Sequence, residues 1–161
     1  MNEIIIIAAV SKNNVIGKNN DLPWHIKTDL EHFEKLTLNH IVIYGRKVFE
    51  SIGSKPLKNR INIMLTKNLD LQPVEVIVKH SLKEALDGCK GKVFICGGYE
   101  IYKKGLQIAD KLELTIIDKE FEGDTFFPKI NFDEWKLINK EDHIDEKYGE
   151  YSFCTYVRKK E

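Results

Sequence analysis

At 161 residues the chain fits one ordinary domain, long enough to bury a real core. Lysine plus arginine and aspartate plus glutamate each total 25, a formal net charge of zero, which argues against nucleic acid or an anionic membrane as the main partner. Three cysteines (Cys89, Cys96, Cys154) without a C-x-x-C and five scattered histidines support neither a disulfide framework nor a metal site, so no metal is expected. No apolar run approaches membrane-spanning length, and the first, Ile4 to Val10, is too short and wrongly flanked for a signal peptide, so a cytoplasmic protein is expected.

The first predicted element is a strand over Ile4–Ala9, a continuous apolar run of the kind covered on both faces of a sheet. Val15 to Phe33 follows, reading VIGKNNDLPWHIKTDLEHF, and leads into a helix over Asp29–Leu38. Ile26, Leu30, Phe33 and Leu36 have helical spacing. Asp29 lies three residues after Ile26 and four before Phe33, so a lone carboxylate points into that stripe. Desolvation there raises a carboxyl group toward useful acid–base chemistry. Thr28 with Glu31 also reads as a capping box, which makes Asp29 a first-turn residue favoured by the helix dipole; the two readings are compatible. His32 and His40 read as solvated.

Further strands are predicted over Ile41–Tyr44, Ile61–Leu65, Val74–Val78, Val93–Cys96 and Leu112–Ile117. Helices fall between them over Arg46–Ile52, Leu82–Cys89 and Glu100–Leu106. That alternation implies right-handed crossovers and a mostly parallel sheet. The charged stretch Asn139 to Glu150 reads as a loop or hairpin connection, and Trp135–Ile138 with Tyr151–Arg158 as an antiparallel pair at one edge. The expected fold class is a single α/β domain over residues 1–161, with a mixed sheet and helices on both faces.

Two strand-to-helix junctions suggest phosphate binding. Gly97 and Gly98 precede one helix, and paired glycines let a phosphate approach backbone N–H groups at a helix start. Gly45, Arg46 and Lys47 open another, and Lys67 follows the strand ending at Leu65. Two such junctions with cations suit the separated phosphates of a dinucleotide. A tight turn and three unrelated surface cations are the alternative.

Over its whole length the chain resembles the dihydrofolate reductase family, in its bacterial chromosomal form. The matching pieces are IIIIAAV, VIGKNNDLPW, the helix with Asp29, VIYGRKVFESIG, PLKNR, ICGGYEIY, LTIIDKEFEGDTFFP and the tryptophan-containing C-terminal pair. Their order and spacing carry the resemblance. It implies a central mixed sheet of about eight strands. It also implies hydride transfer from NADPH to C6 of 7,8-dihydrofolate with protonation of N5, which feeds tetrahydrofolate to one-carbon metabolism.

On that resemblance Asp29 would hold the pterin's 2-amino group and N3, its charge favouring a proton on N5 that arrives by water, and Thr115 would support the carboxylate. Leu22, Pro23 and Trp24 would form a loop over the nicotinamide, among the turn-forming Asn13, Asn14, Gly17, Asn19 and Asn20. Ile7, Leu30, Phe33, Ile52 and Leu57 would wall the pocket. Tyr102 would stand beside the reacting carbons, Cys96 would offer its backbone carbonyl, and Arg60 would hold the α-carboxylate of the glutamate tail. Toward NADPH, Ala9 and Ile16 would meet the nicotinamide end, Gly97, Gly98 and Tyr99 the pyrophosphate, and Arg46, Lys47 and Lys67 the 2′-phosphate. Gly17, Asn20, Gly45, Val48, Leu65, Thr66, Glu100, Ile101 and Tyr102 complete the cofactor-binding set.

The chain departs from the family pattern at Val48, where a hydroxyl residue is common, at Glu100, where a cation can occur, and at Cys96, usually aliphatic. An insertion lies near Ser54–Lys55. Two other readings are a pyrimidine reductase of riboflavin synthesis and a non-catalytic nucleotide-binding domain. Asp29 together with Trp24 and Arg60 favours an enzyme acting on a pteridine with a glutamate tail. Inhibition by antifolates and a monomeric state are expected.

Overall fold

A computed structural model describes residues 2–68 and 70–160; Met1, Leu69 and Glu161, which the expected domain of 1–161 includes, lie outside the described residues. In chain order the elements are β1 (Asn2–Ser11), β2 (Val15–Gly17), α1 (Lys27–Thr37), β3 (Ile41–Gly45), α2 (Arg46–Ser51), β4 (Ile61–Leu65), β5 (Val76–Lys79), α3 (Leu82–Leu86), β6 (Gly91–Ile95), α4 (Tyr99–Gly105), β7 (Lys111–Ile117), β8 (Thr125–Phe126), β9 (Trp135–Asp145) and β10 (Gly149–Arg158). Eight of the strands form one sheet in the order β5-β4-β3-β6-β1-β7-β10-β9. The pairs from β5 through β7 are parallel, and β10 joins β7 and β9 antiparallel, so the C-terminal hairpin forms one edge as expected.

Helices cover both faces, which explains the continuous Ile and Val runs. On one face, Phe33 and Leu36 of α1 and Phe49 of α2 meet Ile5, Ile7, Val42, Tyr44 and Phe94. On the other, Leu82 and Ala85 of α3 and Tyr102 of α4 meet Ile6, Ile43, Val93, Ile95 and Leu112. Among the described residues no helix is long and apolar enough to cross a membrane.

Several expected boundaries move for local reasons. β5 starts at Val76 rather than Val74, because Glu75 takes a positive φ of 62°. α3 ends at Leu86 rather than Cys89, since Asp87 is extended and Gly88 turns left-handed at φ 87°. Of the two readings of the charged stretch after Ile138, the hairpin holds and the loop does not: β9 continues through Lys140, Glu141 and Asp142 to Asp145, leaving residues 146–148 as the turn. As the edge strand it tolerates, and uses, exposed charges that discourage pairing with another chain. The short β2–β8 ladder was not expected; it forms where Gly123, lacking a Cβ, lets the chain close onto Val15 and the Gly17 carbonyl.

Candidate active site

The parallel register brings Ala9, Gly45, Cys96 and Thr115 to the C-terminal ends of neighbouring strands, where open α/β sheets bind ligands. α1 crosses this end of the sheet. Its N-cap is Ile26, extended at φ −112°, with no side-chain capping bond. The expected Thr28–Glu31 capping box is therefore absent, and Thr28 already lies inside the helix. Ile26 is 3 % exposed, in a cluster with Trp24, Ile117 and Tyr151. Burying such a side chain is worth about 1.5–3 kcal/mol against about 1 for a hydroxyl cap, so packing sets the helix start.

Asp29 is thereby held in the first turn and is buried. Thr115 Oγ1 donates to its Oδ1 at 2.6 Å, and Thr115 is itself buried on β7. Burial pushes the Asp29 carboxyl above the ordinary carboxylate value, and the Thr115 hydrogen bond opposes part of that rise. The rest of the anticipated stripe is uneven: Phe33 and Leu36 are half-buried, while Leu30 is 56 % exposed. One turn beyond Asp29, His32 is not solvated as expected. Ala9, Thr115, Phe153 and Glu141 are successive Cα partners across β1, β7, β10 and β9, and α1 lies over this row. His32 consequently stacks on Phe153 with ring centroids 3.8 Å apart, and burial lowers its pKa. His40 is likewise half-buried, with its ring 5.9 Å from that of Phe94.

At the far end of α1, Arg60 is half-buried rather than a free edge cation. Its Nε donates to the Lys58 carbonyl at 2.9 Å and its Nη1 to Thr37 Oγ1 at 3.1 Å, with the guanidinium 6.0 Å from the Phe33 ring centroid. Phe33, Leu57, Val48 and Cys96 pack against the cluster containing Ile7. Ile52, at the end of α2, is 38 % exposed. The Cys96 thiol is pushed up to about 12 by burial, which makes it a poor nucleophile at neutral pH. Asp29 and Thr37 are eight residues apart, so the carboxylate and the guanidinium tether are separated by about 12 Å along α1.

The two glycine junctions sit side by side, the Gly45 N–H donating to the Gly97 carbonyl at 2.9 Å. Gly45 and Gly98 are the N-caps of α2 and α4, and neither helix start receives a side-chain capping bond. The Gly97–Gly98 peptide is cis. Tyr102 is buried; its hydroxyl donates to the Ile7 carbonyl at 2.9 Å, which fastens α4 to β1. Leu65 is the register partner of Gly45, so Thr66 and Lys67 follow beside the start of α2. Arg46, Lys47 and Lys67 are exposed, with Arg46 Nε 3.5 Å from Glu50. Val48 is half-buried among apolar side chains, whereas Glu100 and Tyr99 are exposed. Ile101 lies over Gly45, its Cδ1 3.2 Å from where a Cβ would stand.

Gly97 has φ +108°, and a Cβ there would lie 3.0 Å from the Tyr102 ring. Gly97→Ala should therefore destabilise the fold by about 1–3 kcal/mol, lowering the thermal midpoint by several degrees. An unchanged midpoint in a calorimetric scan would contradict this.

Trp24 lies in the irregular segment between β2 and α1. It is fully buried, its ring 5.0 Å from that of Phe121, and its Nε1 has no hydrogen-bond partner among the described residues. Leu22 packs beside it, and Pro23 is half-buried. The preceding turns carry the irregular backbone, with positive φ at Asn14, Asn19 and Asn20. They are tied to the segment before β8 by Asn13 Nδ2 donating to the Phe121 carbonyl at 2.8 Å and the Asn19 N–H donating to Asp124 Oδ2 at 3.0 Å. Ile16 and Gly17 lie in β2 and Asn20 is exposed in the turn that follows. Two polar residues that pattern reading passed over, Thr37 and Asn62, are buried and bonded within this region; a lone polar residue inside an apolar strand or helix run is the signal each offered.

The fold and site together define an α/β protein with a buried acid and a half-buried arginine at opposite ends of one helix, beside paired glycine turns. A family model described as dihydrofolate reductase matches residues 3–158. The dihydrofolate reductase of Bacillus subtilis (strain 168) is 44 % identical over 160 residues, covering 97 % of this chain and 95 % of the relative. That of Staphylococcus aureus (strain MSSA476) is 40 % identical over 157 residues, covering 96 % and 98 %. The solved structure of dihydrofolate reductase from Enterococcus faecalis complexed with NADP(H) and RAB-propyl superposes with a TM-score of 0.92 at 36 % identity, covering 98 % of this chain and 97 % of that one. The chain belongs to the dihydrofolate reductase family.

Proposed function

We propose that this protein reduces 7,8-dihydrofolate to 5,6,7,8-tetrahydrofolate with NADPH, through the residues placed above. The observation that carries the reading is a buried carboxylate, Asp29, in the first turn of α1 and the half-buried Arg60 hydrogen-bonded to Thr37, about 12 Å further along that helix. An elongated ligand with an amino-heterocycle at one end and a carboxylate at the other matches both. Asp29 accepts from the pterin 2-amino group and N3, and Thr115 keeps the carboxylate in register. Its negative charge favours a proton on N5. That proton arrives by water. Phe33, Leu57 and Ile7 exclude solvent from the reacting ring, and Leu30 and Ile52 close on the ligand from their exposed positions.

The glycine turns fit a dinucleotide. A side chain at Gly97 would crowd the Tyr102 ring and one at Gly45 would press on Ile101, α2 and α4 start with uncapped N–H groups, and Arg46, Lys47 and Lys67 supply positive charge nearby. NADPH, when bound, supplies the hydride that C6 receives. Ala9 and Ile16 border the nicotinamide end, Gly97, Gly98 and Tyr99 the pyrophosphate, and the three cations the 2′-phosphate. The same reading takes residues 1–161 as one domain, and the protein as a cytoplasmic monomer that antifolates inhibit and that binds neither polyanion nor membrane; the balanced charge supports the last point.

Loss of NADPH absorbance on adding dihydrofolate to purified protein tests the reading, and no oxidation would overturn it. NADPH should serve better than NADH by about 10–100-fold in kcat/KM, the worth of charge-assisted bonds to the 2′-phosphate. Equal use of the two would remove the assignment of Arg46, Lys47 and Lys67.

A further inference from the structure

The strand after Arg60 carries a buried polar side chain that the reaction does not touch. Asn62, in β4, is 3 % exposed, and its neighbours in sequence are Ile61 and Ile63. Its Oδ1 accepts from the Leu57 N–H at 2.9 Å and from the Tyr44 hydroxyl at 2.7 Å. Its Nδ2 donates to the carbonyls of Leu57 at 2.9 Å and Arg60 at 3.1 Å. Two acceptor sites and two donors are thus all used, and the two N–H···O=C bonds fix which end of the amide faces which way.

Those partners are not scattered. Three of the four bonds go to the backbone of residues 57–60, a stretch outside any helix or strand, and the fourth goes to Tyr44, which is fully buried in β3. The amide therefore couples a rigid part of the sheet to a loop that has no ladder of its own. That loop presents Leu57, which packs with Phe33 and Ile7, and Arg60, whose guanidinium completes its geometry through the Lys58 carbonyl and Thr37. A forked donor recognises a carboxylate only if its backbone is held in place.

We infer that Asn62 is a positioning residue for the substrate's tail: it clamps the 57–60 loop so that Leu57 and Arg60 meet the benzoyl-glutamate portion. The inference rests on the dihydrofolate reading above. It assigns Asn62 no contact with substrate or cofactor.

The test compares kcat/KM for dihydrofolate with that for a 7,8-dihydropterin lacking the tail, in the unsubstituted protein, Asn62→Ala, Arg60→Ala and the double variant. Asn62→Ala should lower the preference for the tailed substrate about tenfold, through KM rather than kcat. In the Arg60→Ala background the same substitution should change that preference little, because the two residues act through one contact. Equal loss on both substrates, or independent effects that simply multiply, would overturn the inference while leaving Arg60 in its role. If Arg60→Ala itself fails to discriminate between the substrates, the tail reading falls and this inference falls with it.

Amide exchange on the unsubstituted protein gives a second readout that does not depend on a variant folding. The Leu57 N–H should exchange slowly although it lies in a loop, because Asn62 Oδ1 accepts it inside the protein. Exchange at the rate of an open loop would overturn the clamp.

Discussion

Asp29→Asn should lower the rate of hydride transfer at neutral pH by about 10²–10⁴-fold, the range of a positioned acid–base group, while NADPH affinity stays within about twofold. The asparagine keeps the side chain's size and can still accept from Thr115, but it cannot carry the charge that favours a proton on N5. The same substitution should stabilise the fold. Burial raises the Asp29 pKa, so folding favours the protonated acid. Its stabilising contribution is present at acid pH and is lost as pH rises through the folded value, leaving a desolvated charge at neutrality. The thermal midpoint of Asp29→Asn should therefore exceed that of the unsubstituted protein at pH 7, with the gap narrowing toward acid. Single-turnover kinetics and calorimetry at two pH values check both halves. Equal falls in catalysis and NADPH binding would make Asp29 structural, and a lower midpoint at pH 7 would contradict the burial argument.

Arg60→Ala should raise KM for dihydrofolate about 10–100-fold, the worth of a charge-assisted pair at a partly desolvated site. The effect should fall on KM rather than kcat, since the carboxylate it meets lies far from the reacting carbons and is held equally in ground and transition states. Arg60 is preorganised by Lys58 and Thr37, so lysine should not replace it: an ammonium cannot reproduce the fork. Steady-state kinetics with and without the tail on the substrate decide the matter. A loss equal on both substrates would make Arg60 part of the scaffold only.

The sheet was legible because its parallel strands are covered on both faces, and so Ile4–Ala9, Ile41–Tyr44 and Val93–Cys96 read as continuous apolar runs. β9 beyond Ile138 was not, because an edge strand can carry charges and its pairing to β10 leaves no apolar trace. Asp29 was legible as an acid among apolar neighbours. Its setting was not: local pattern suggested a Thr28 cap, while the helix start is decided by Ile26, packed against residues from β7 and β10 more than ninety positions away. The burial of Trp24 was not legible for the same reason, since its turn-rich surroundings carry no sign that the indole is core. His32 depends on a row formed across strands, Phe153 beside Thr115, and Asn62 on a hydrogen bond from Tyr44 of the neighbouring strand, neither of which a short window of sequence contains.

The pH dependence of hydride transfer in single turnover, compared between the unsubstituted protein and Asp29→Asn, tests the central role of this carboxylate most directly. The unsubstituted rate should hold toward neutrality and fall only above an apparent pKa that belongs to Asp29 and N5 together. Asp29→Asn should lose the neutral plateau and recover as pH falls, when substrate protonated in solution becomes available. Two profiles of one shape, displaced by a constant factor across the whole pH range, would contradict a role for the Asp29 charge in protonating the substrate.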